Sequence, residues 1–249
     1  TAGGCVSAAA EADWLLEEAP DPEAVRAMVA RRAAGEPLQY VIGWAPFGPL
    51  RLRVGPGVFV PRPETETLAD RAAAFLRSIP APRIAVDLCT GSGAIACFLA
   101  AEAPGTRVVA TELDPGALAW ATGNAERHGV ELLAGDLDDP LPAELAGQVD
   151  VLCANVPYVP SGAIATLPTD VRDHEPRRSL DGGPDGLEVF RRLAGRASHW
   201  LAPGGRLYAE IGEDQAAAAA ALLTGAGLAE VAVHQDLVGR DRIVEGCSP

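Results

Sequence analysis

Asn155-Val156-Pro157-Tyr158 follows an apolar run, Val149 to Ala154, that has the length and residue types of a buried parallel strand. An Asn just past the carboxyl end of such a strand sits where open α/β sheets bind ligands. Its side-chain amide accepts through one atom and donates through the other. Pro157 stiffens the turn, and Tyr158 adds a flat ring beside the amide. Together these groups can hold a planar amide or amino group still. The same residues also read as an Asn closing a strand and a Pro-Tyr opening a loop, since Asn and Pro are common turn formers.

A second group lies upstream. Val86 to Ala96 reads as a strand end, the turn Cys89-Thr90-Gly91-Ser92-Gly93, and a helix start. Gly91 and Gly93 allow close approach and positive φ, and the helix N-terminus offers free N–H groups to an anion. Glu112 ends the next strand-like run, 112 − 93 = 19 residues beyond Gly93. That is the distance at which an acid meets a ribose diol in nucleotide sites. Gly91 to Ala96 formally satisfies the Ala-ended dinucleotide pattern. Asp87 at the strand end would repel a pyrophosphate, yet it suits a cofactor carrying an ammonium and a sulfonium, as S-adenosyl-L-methionine does. Asp87 reads equally well as a cap of the turn. Asp136 could accept from an adenine amino group, with Leu137 covering the ring, whereas Asp138 and Asp139 read as solvated loop charges.

The elements that position these groups follow from periodicity. Strand-like runs at 84–89, 107–112, 130–135, 149–154 and 205–211 alternate with helical stretches at 94–103, 115–128, 185–201 and 213–225. Such alternation predicts βαβ units around a parallel sheet, an α/β fold. Two last strands, 228–235 and 241–245, turn at Gly239 and predict an antiparallel strand near one edge. The first 35 residues read as helical, with Asp21-Pro22-Glu23 as a start signal and Gly35 as the stop. Residues 36–62 read as a β-hairpin or meander, and a helix follows from 63 to about 78.

Composition narrows the function. The 249 residues are 48% hydrophobic and carry a net charge of −14. So acidic a surface opposes general nucleic-acid binding. No run of about 18 apolar residues marks a membrane span. No signal peptide is visible at Thr1 to Gly4. Cys5, Cys89, Cys97, Cys153 and Cys247 form no C-x-x-C pair, and His128, His174, His199 and His234 are scattered. These features predict a reducing cytoplasm and no metal site.

The chain resembles the HemK/PrmC family, the protein-(glutamine-N5) methyltransferases that modify peptide-chain release factors. The likeness runs from Gly35 to Gly246. It includes Gly35 to Gly43, Val60-Pro61-Arg62-Pro63-Glu64-Thr65-Glu66, the Asp87–Gly93 turn, Asp173-His174-Glu175-Pro176, Gly182 to Leu187, Glu210-Ile211-Gly212 with Gln215, and Asp241-Arg242. The Pro-Arg-Pro-Glu-Thr-Glu segment with the Asn-x-Pro-Tyr tetrapeptide is the specific part. The resemblance implies a Rossmann-like, class I S-adenosyl-L-methionine-dependent methyltransferase domain over 63–249. It implies a shortened N-terminal helical substrate-binding region over 1–35, joined by a hairpin linker over 36–62. It implies that Cys89, Thr90, Gly91, Ser92 and Gly93 line the methionine end of the cofactor, that Glu112 holds the ribose, and that Asp136 and Leu137 frame the adenine. Asn155, Val156, Pro157 and Tyr158 then hold a target glutamine of a Gly-Gly-Gln loop, with Asn155 also near the cofactor, which leaves as S-adenosyl-L-homocysteine. The Asn155 side-chain oxygen and the Val156 carbonyl are expected to accept the two amide N–H groups while Tyr158 packs on the amide plane.

The family usually has Asn-Pro-Pro-Tyr. Val156 keeps the backbone carbonyl, so methyl transfer is expected to survive, and target choice is what a paralogue with Asn-Val-Pro-Tyr could change. The expected protein is a cytoplasmic monomer whose partner is a release factor. Glu64 and Glu210 could border the pocket or serve as a helix cap and a strand end. Arg62, Arg177 and Arg178 could meet the partner or solvent. The alternatives are an amino-methyltransferase on another protein or a nucleic-acid base, an NAD(P)-dependent oxidoreductase, and an inactive cofactor-binding partner. The charge opposes the nucleic-acid reading, and no Tyr-x-x-x-Lys pair supports the oxidoreductase.

Overall fold

The computed structural model describes residues 8–249. Residues 1–7, with Cys5 and the stretch read for a leader, lie outside the described residues. The chain begins with helices α1 (Ala8–Glu18) and α2 (Pro22–Ala33). The Asp21 carboxylate accepts from the Glu23 and Ala24 N–H groups at 2.9 and 2.8 Å, which satisfies donors that the helix itself cannot. A short helix α3 (Leu38–Ile42) and a hairpin of β1 (Trp44–Phe47) and β2 (Leu50–Arg53) follow. Leu15 packs on Leu38 and Val41, so the N-terminal helices find their apolar partner in the next segment.

A hairpin does lie within 36–62, but it is confined to Trp44–Phe47 and Leu50–Arg53. Residues 38–42 are helical, and beyond Arg53 the chain runs irregularly to Arg62. Five alternating residues do not separate period 2 from period 3.6. Pro37 starts the turn, and Gly43 ends it at φ 84°. The irregular stretch is still buried, because Val54, Val58 and Val60 pack with Tyr40, Ala45 and Ala117.

Helix α4 (Pro63–Ser78) leads into the main sheet. Its strands are β3 (Arg83–Leu88), β4 (Thr106–Glu112), β5 (Glu131–Ala134), β6 (Val149–Ala154), β7 (Leu201–Glu210), β8 (Ala229–Gln235) and β9 (Asp241–Cys247). The helices between them are α5 (Ala94–Glu102), α6 (Pro115–His128), the short α7 (Thr169–Arg172), α8 (Glu188–Trp200) and α9 (Ala216–Gly225). The spatial order is β5-β4-β3-β6-β7-β9-β8. Strands β5 through β7 run parallel, and β9 is antiparallel to both of its neighbours. Two cores lie on opposite faces. Phe190, Leu193 and Trp200 of α8 pack on one face with Leu152 and Leu207, and Leu68 and Leu76 of α4 with Phe98 of α5 pack on the other. The connections reverse direction between β3 and β6, so the crevice of this α/β sheet opens there, at the strands' carboxyl ends. Among the described residues, no helix is long and apolar enough to cross a membrane.

Candidate active site

A cavity of about 790 Å³ occupies that crevice. Its wall includes Cys89, Thr90, Gly91, Ser92, Glu112, Asp136, Asn155, Pro157 and Tyr158. Nine of the twelve residues predicted to form the site thus meet at one opening. Gly93, Leu137 and Val156 stand outside the wall. Gly93 caps α5 at φ 87°. A Cβ there would meet only ordinary contacts, so the conformation is what requires glycine. Leu137 is buried with Val86 and Leu88 in the core, so its side chain does not cover a ligand. Leu113, 44% exposed and in the wall, is the apolar side chain beside Glu112. Val156 is likewise buried in the core, which leaves its backbone as the part able to act.

One wall is made chiefly of backbone. The Glu112 carboxylate accepts the Gly91 N–H at Oε2 and the Asp114 N–H at Oε1, both at 2.8 Å. These bonds tie the tip of β4 to the glycine turn and fix the carboxylate against the cavity. Burial pushes the Glu112 pKa up, and the backbone N–H groups partly oppose it. Each carboxylate oxygen keeps a further lone pair for a hydroxyl. Asp87 lies beneath the turn, fully buried. Its Oδ2 accepts the Thr90 hydroxyl at 2.5 Å and the Ala96 N–H at 3.1 Å, while Oδ1 has no partner. Desolvation pushes its pKa up to about 7. Asp87 therefore caps the turn, and it does not line the cavity.

Asp136 in the wall accepts from Arg192 at 2.8 Å. Asp138, expected as a solvated charge, is 5% exposed. It takes 2.8 Å bonds from Arg196 and the Trp200 indole. Burial opposes ionisation there, but those two donors prevail and lower its pKa. Its long-range partners on α8 left no mark in the local sequence.

The other wall is made of side chains. Asn155 Nδ2 donates to Thr65 Oγ1 at 3.3 Å, and the Thr65 hydroxyl donates to Glu210 Oε2 at 2.6 Å. The Tyr158 hydroxyl donates to Glu210 Oε1 at 3.0 Å. Ala154 and Ala209 are register partners on β6 and β7, which brings Asn155 and Glu210 side by side. Glu210 is 1% exposed. Desolvation raises its pKa against the Thr65 and Tyr158 bonds and the nearby Arg242 charge. From behind, Gln215 Nε2 donates to the Tyr158 carbonyl at 2.9 Å, and Gly182 abuts the Pro157 carbonyl so closely that a Cβ would sit 2.6 Å from it.

The candidate partner-binding arginines divide. Arg62 is held by both Glu175 oxygens at 2.7 Å, and Arg177 pairs with Asp181. Arg178 lines the cavity mouth. Glu64 pairs with Arg240 and borders a second, polar recess of about 130 Å³ with Arg62, Tyr158, Glu210 and Arg242. Thr65 carries no local mark of a site residue. Its one signal in the sequence is its place in the Pro-Arg-Pro-Glu-Thr-Glu segment.

A family model described as a methyltransferase domain matches residues 85–172. The release factor glutamine methyltransferase of Mycolicibacterium smegmatis is 46% identical over 235 residues, which span 92% of this chain and 82% of that protein. The enzyme of that name from Geobacter sulfurreducens is 38% identical over 263 residues, 98% of this chain and 90% of the relative. A solved methyltransferase from Pyrococcus furiosus aligns over 80% of this chain and 88% of its own, with a TM-score of 0.58 and 21% identity. That last likeness is one of fold.

Proposed function

The chain belongs to the release factor glutamine methyltransferase family, and from that premise we propose how its own residues carry the reaction. The enzyme transfers a methyl group from S-adenosyl-L-methionine to the side-chain nitrogen of a release-factor glutamine, in its Gly-Gly-Gln loop. The cofactor fits the cavity: Glu112 presents a pinned carboxylate for a ribose diol, the Gly91 turn allows close approach, and Leu113 offers an apolar face. When bound, it supplies an electrophilic methyl group on a sulfonium.

An amide nitrogen is a weak nucleophile because its lone pair is delocalised, so the protein must place it and favour the charge it develops. With Nδ2 engaged by Thr65, the Asn155 carbonyl oxygen is left for one target N–H. The Val156 carbonyl takes the other, and Tyr158, tethered by its hydroxyl to Glu210, bounds the amide plane. Two acceptors on one nitrogen orient its lone pair toward the methyl group and stabilise the growing positive charge. The methylated nitrogen, cationic after the transfer, then gives one proton to water. Helices α1 and α2, within the 1–35 region, serve to grip the protein substrate. A monomeric, cytoplasmic enzyme completes the proposal, and light scattering checks the first of these.

The observation that carries this reading is the Asn155 amide, anchored by its donor end at the sheet's switch point. Asn155→Ala is expected to lower turnover on the order of 1,000-fold, with S-adenosyl-L-methionine affinity by calorimetry within a few-fold of wild type. Mass spectrometry of the Gly-Gly-Gln peptide reads the transfer. Parallel loss of binding would make Asn155 a cofactor ligand or a structural residue. A wild-type protein that binds cofactor but methylates no release factor would be an inactive partner.

A further inference from the structure

We propose that Glu210 and Thr65 are positioning residues that fix which end of the Asn155 amide faces the substrate. The inference rests on the amide-clamp reading above and names what makes that clamp work.

The two ends of an Asn amide are nearly the same in shape and opposite in function. A clamp for N–H donors works only with Oδ1 turned inward; a flipped amide would point donors at donors. Sterics alone do not choose between these states, so a hydrogen-bond chain must.

That chain starts at Glu210. Thr65 at 2.6 Å and Tyr158 at 3.0 Å each donate to one of its oxygens, and in the ionised form, which burial disfavours and these two hydroxyls favour, the carboxylate can only accept. A hydroxyl has one proton. Once Thr65 has given it to Glu210, Thr65 Oγ1 can only accept from Asn155. The end of Asn155 that faces it at 3.3 Å must then be Nδ2, and Oδ1 is directed away from Thr65. Glu210 is 1% and Thr65 3% exposed, so bulk water does not readily replace either partner. Arg242 borders the same recess, and its charge works with the two hydroxyls against the burial that raises the Glu210 pKa. The same carboxylate holds Tyr158, so one buried charge sets two groups of the clamp. The components come from the start of α4 and the ends of β6 and β7, a junction that only the folded sheet assembles.

Three variants of the full chain test this, with kcat, KM for the release factor, cofactor Kd and thermal midpoint measured for each. Thr65→Val keeps the shape and removes the hydroxyl, and is expected to lower kcat about 10- to 100-fold with cofactor Kd unchanged. Thr65→Ser restores the hydroxyl and is expected within about threefold of wild type, the spread common to individual contributions. Glu210→Gln keeps the size but offers one donor and one acceptor, so it permits both chain polarities and should also lower kcat rather than raise cofactor Kd. The idea is overturned if Thr65→Val keeps full kcat, if Thr65→Ser falls as far as Thr65→Val, or if the losses track cofactor Kd. If Thr65→Val does not fold, Glu210→Gln decides: full kcat there overturns the proposal. Turnover surviving in Asn155→Ala would sink the clamp itself. Loss in Asn155→Ala with full activity in Thr65→Val would sink only the positioning.

Discussion

The two walls of the cavity are built by different means. The Gly91 wall comes from a contiguous turn plus one acid 21 residues away, whose carboxylate the backbone N–H groups of Gly91 and Asp114 hold. The Asn155 wall joins side chains 90 and 145 positions apart in sequence, and the backbone mainly carries them. A wall of backbone is fixed once the turn has formed, and it tolerates side-chain change where no side chain is used. A wall of side chains depends on every partner, because a buried polar group left alone costs more than the bond it made. Damage to the two walls should therefore appear in different constants: in cofactor affinity for the first, in turnover for the second.

After the loss expected for Asn155→Ala, the largest expected effect is on the same wall from behind. A Cβ on Gly186 would lie 2.2 Å from the Tyr158 carbonyl oxygen and 2.5 Å from Gln215 Nε2, at φ 75°. Neither backbone nor glutamine can yield that much without moving Tyr158. Gly186→Ala is expected to lower kcat by about 100-fold, the scale for misplacement of reacting groups by an ångström. Cofactor Kd should hold within a few-fold. Initial rates at saturating cofactor, with calorimetry alongside, make the check. Equal losses in both constants would show that the two walls move as one body.

Next in size is Glu112→Gln on the other wall. The amide keeps one acceptor where the carboxylate had two, and it loses the charge. Hydrogen bonds to charged groups contribute about 1.5–3 kcal/mol, so cofactor Kd should rise about 10- to 100-fold. At saturating cofactor, kcat should stay within about twofold, given that this acid touches none of the Asn155 chain. A fall in kcat at saturation would break the division between the walls.

The same division explains what the sequence disclosed. The strand-turn-helix around Gly91 and the spacing to Glu112 are local, and each residue type there has one dominant physical use. The parallel sheet and its late antiparallel strand were equally plain, because strands buried on both faces read as apolar runs. Asn155 was visible as a candidate only because it ends such a run. Thr65 and the role of Glu210 were not visible, because nothing local says that a helix start and a strand end will meet. The same limit hid the burial of Asp138, whose partners sit on α8. The misread strand over 38–42 has a different cause, a run too short for its period to show.

The smallest expected effect concerns Asp87, the buried carboxyl beneath the backbone wall. Its carboxyl titrates at about 7 in the folded protein because it is fully desolvated, against an ordinary value near 3.8. The folded state thus holds this proton more tightly than the unfolded chain does. The resulting stability is fully present below about pH 4 and is lost as pH rises through about 7. Asp87→Asn cannot ionise. Its amide oxygen can take over the Thr90 and Ala96 bonds, with its NH₂ at the position of the unpartnered Oδ1. The variant should match wild type more closely near pH 5 and exceed its thermal midpoint near pH 8 by about 2–4 °C, the shift that about 1 kcal/mol produces in a chain of this size. Thermal unfolding at the two pH values reads the difference. A gap that is the same at both would mean that Asp87 keeps one charge state throughout, and that the turn above it is held by an ionised carboxylate rather than by a protonated one.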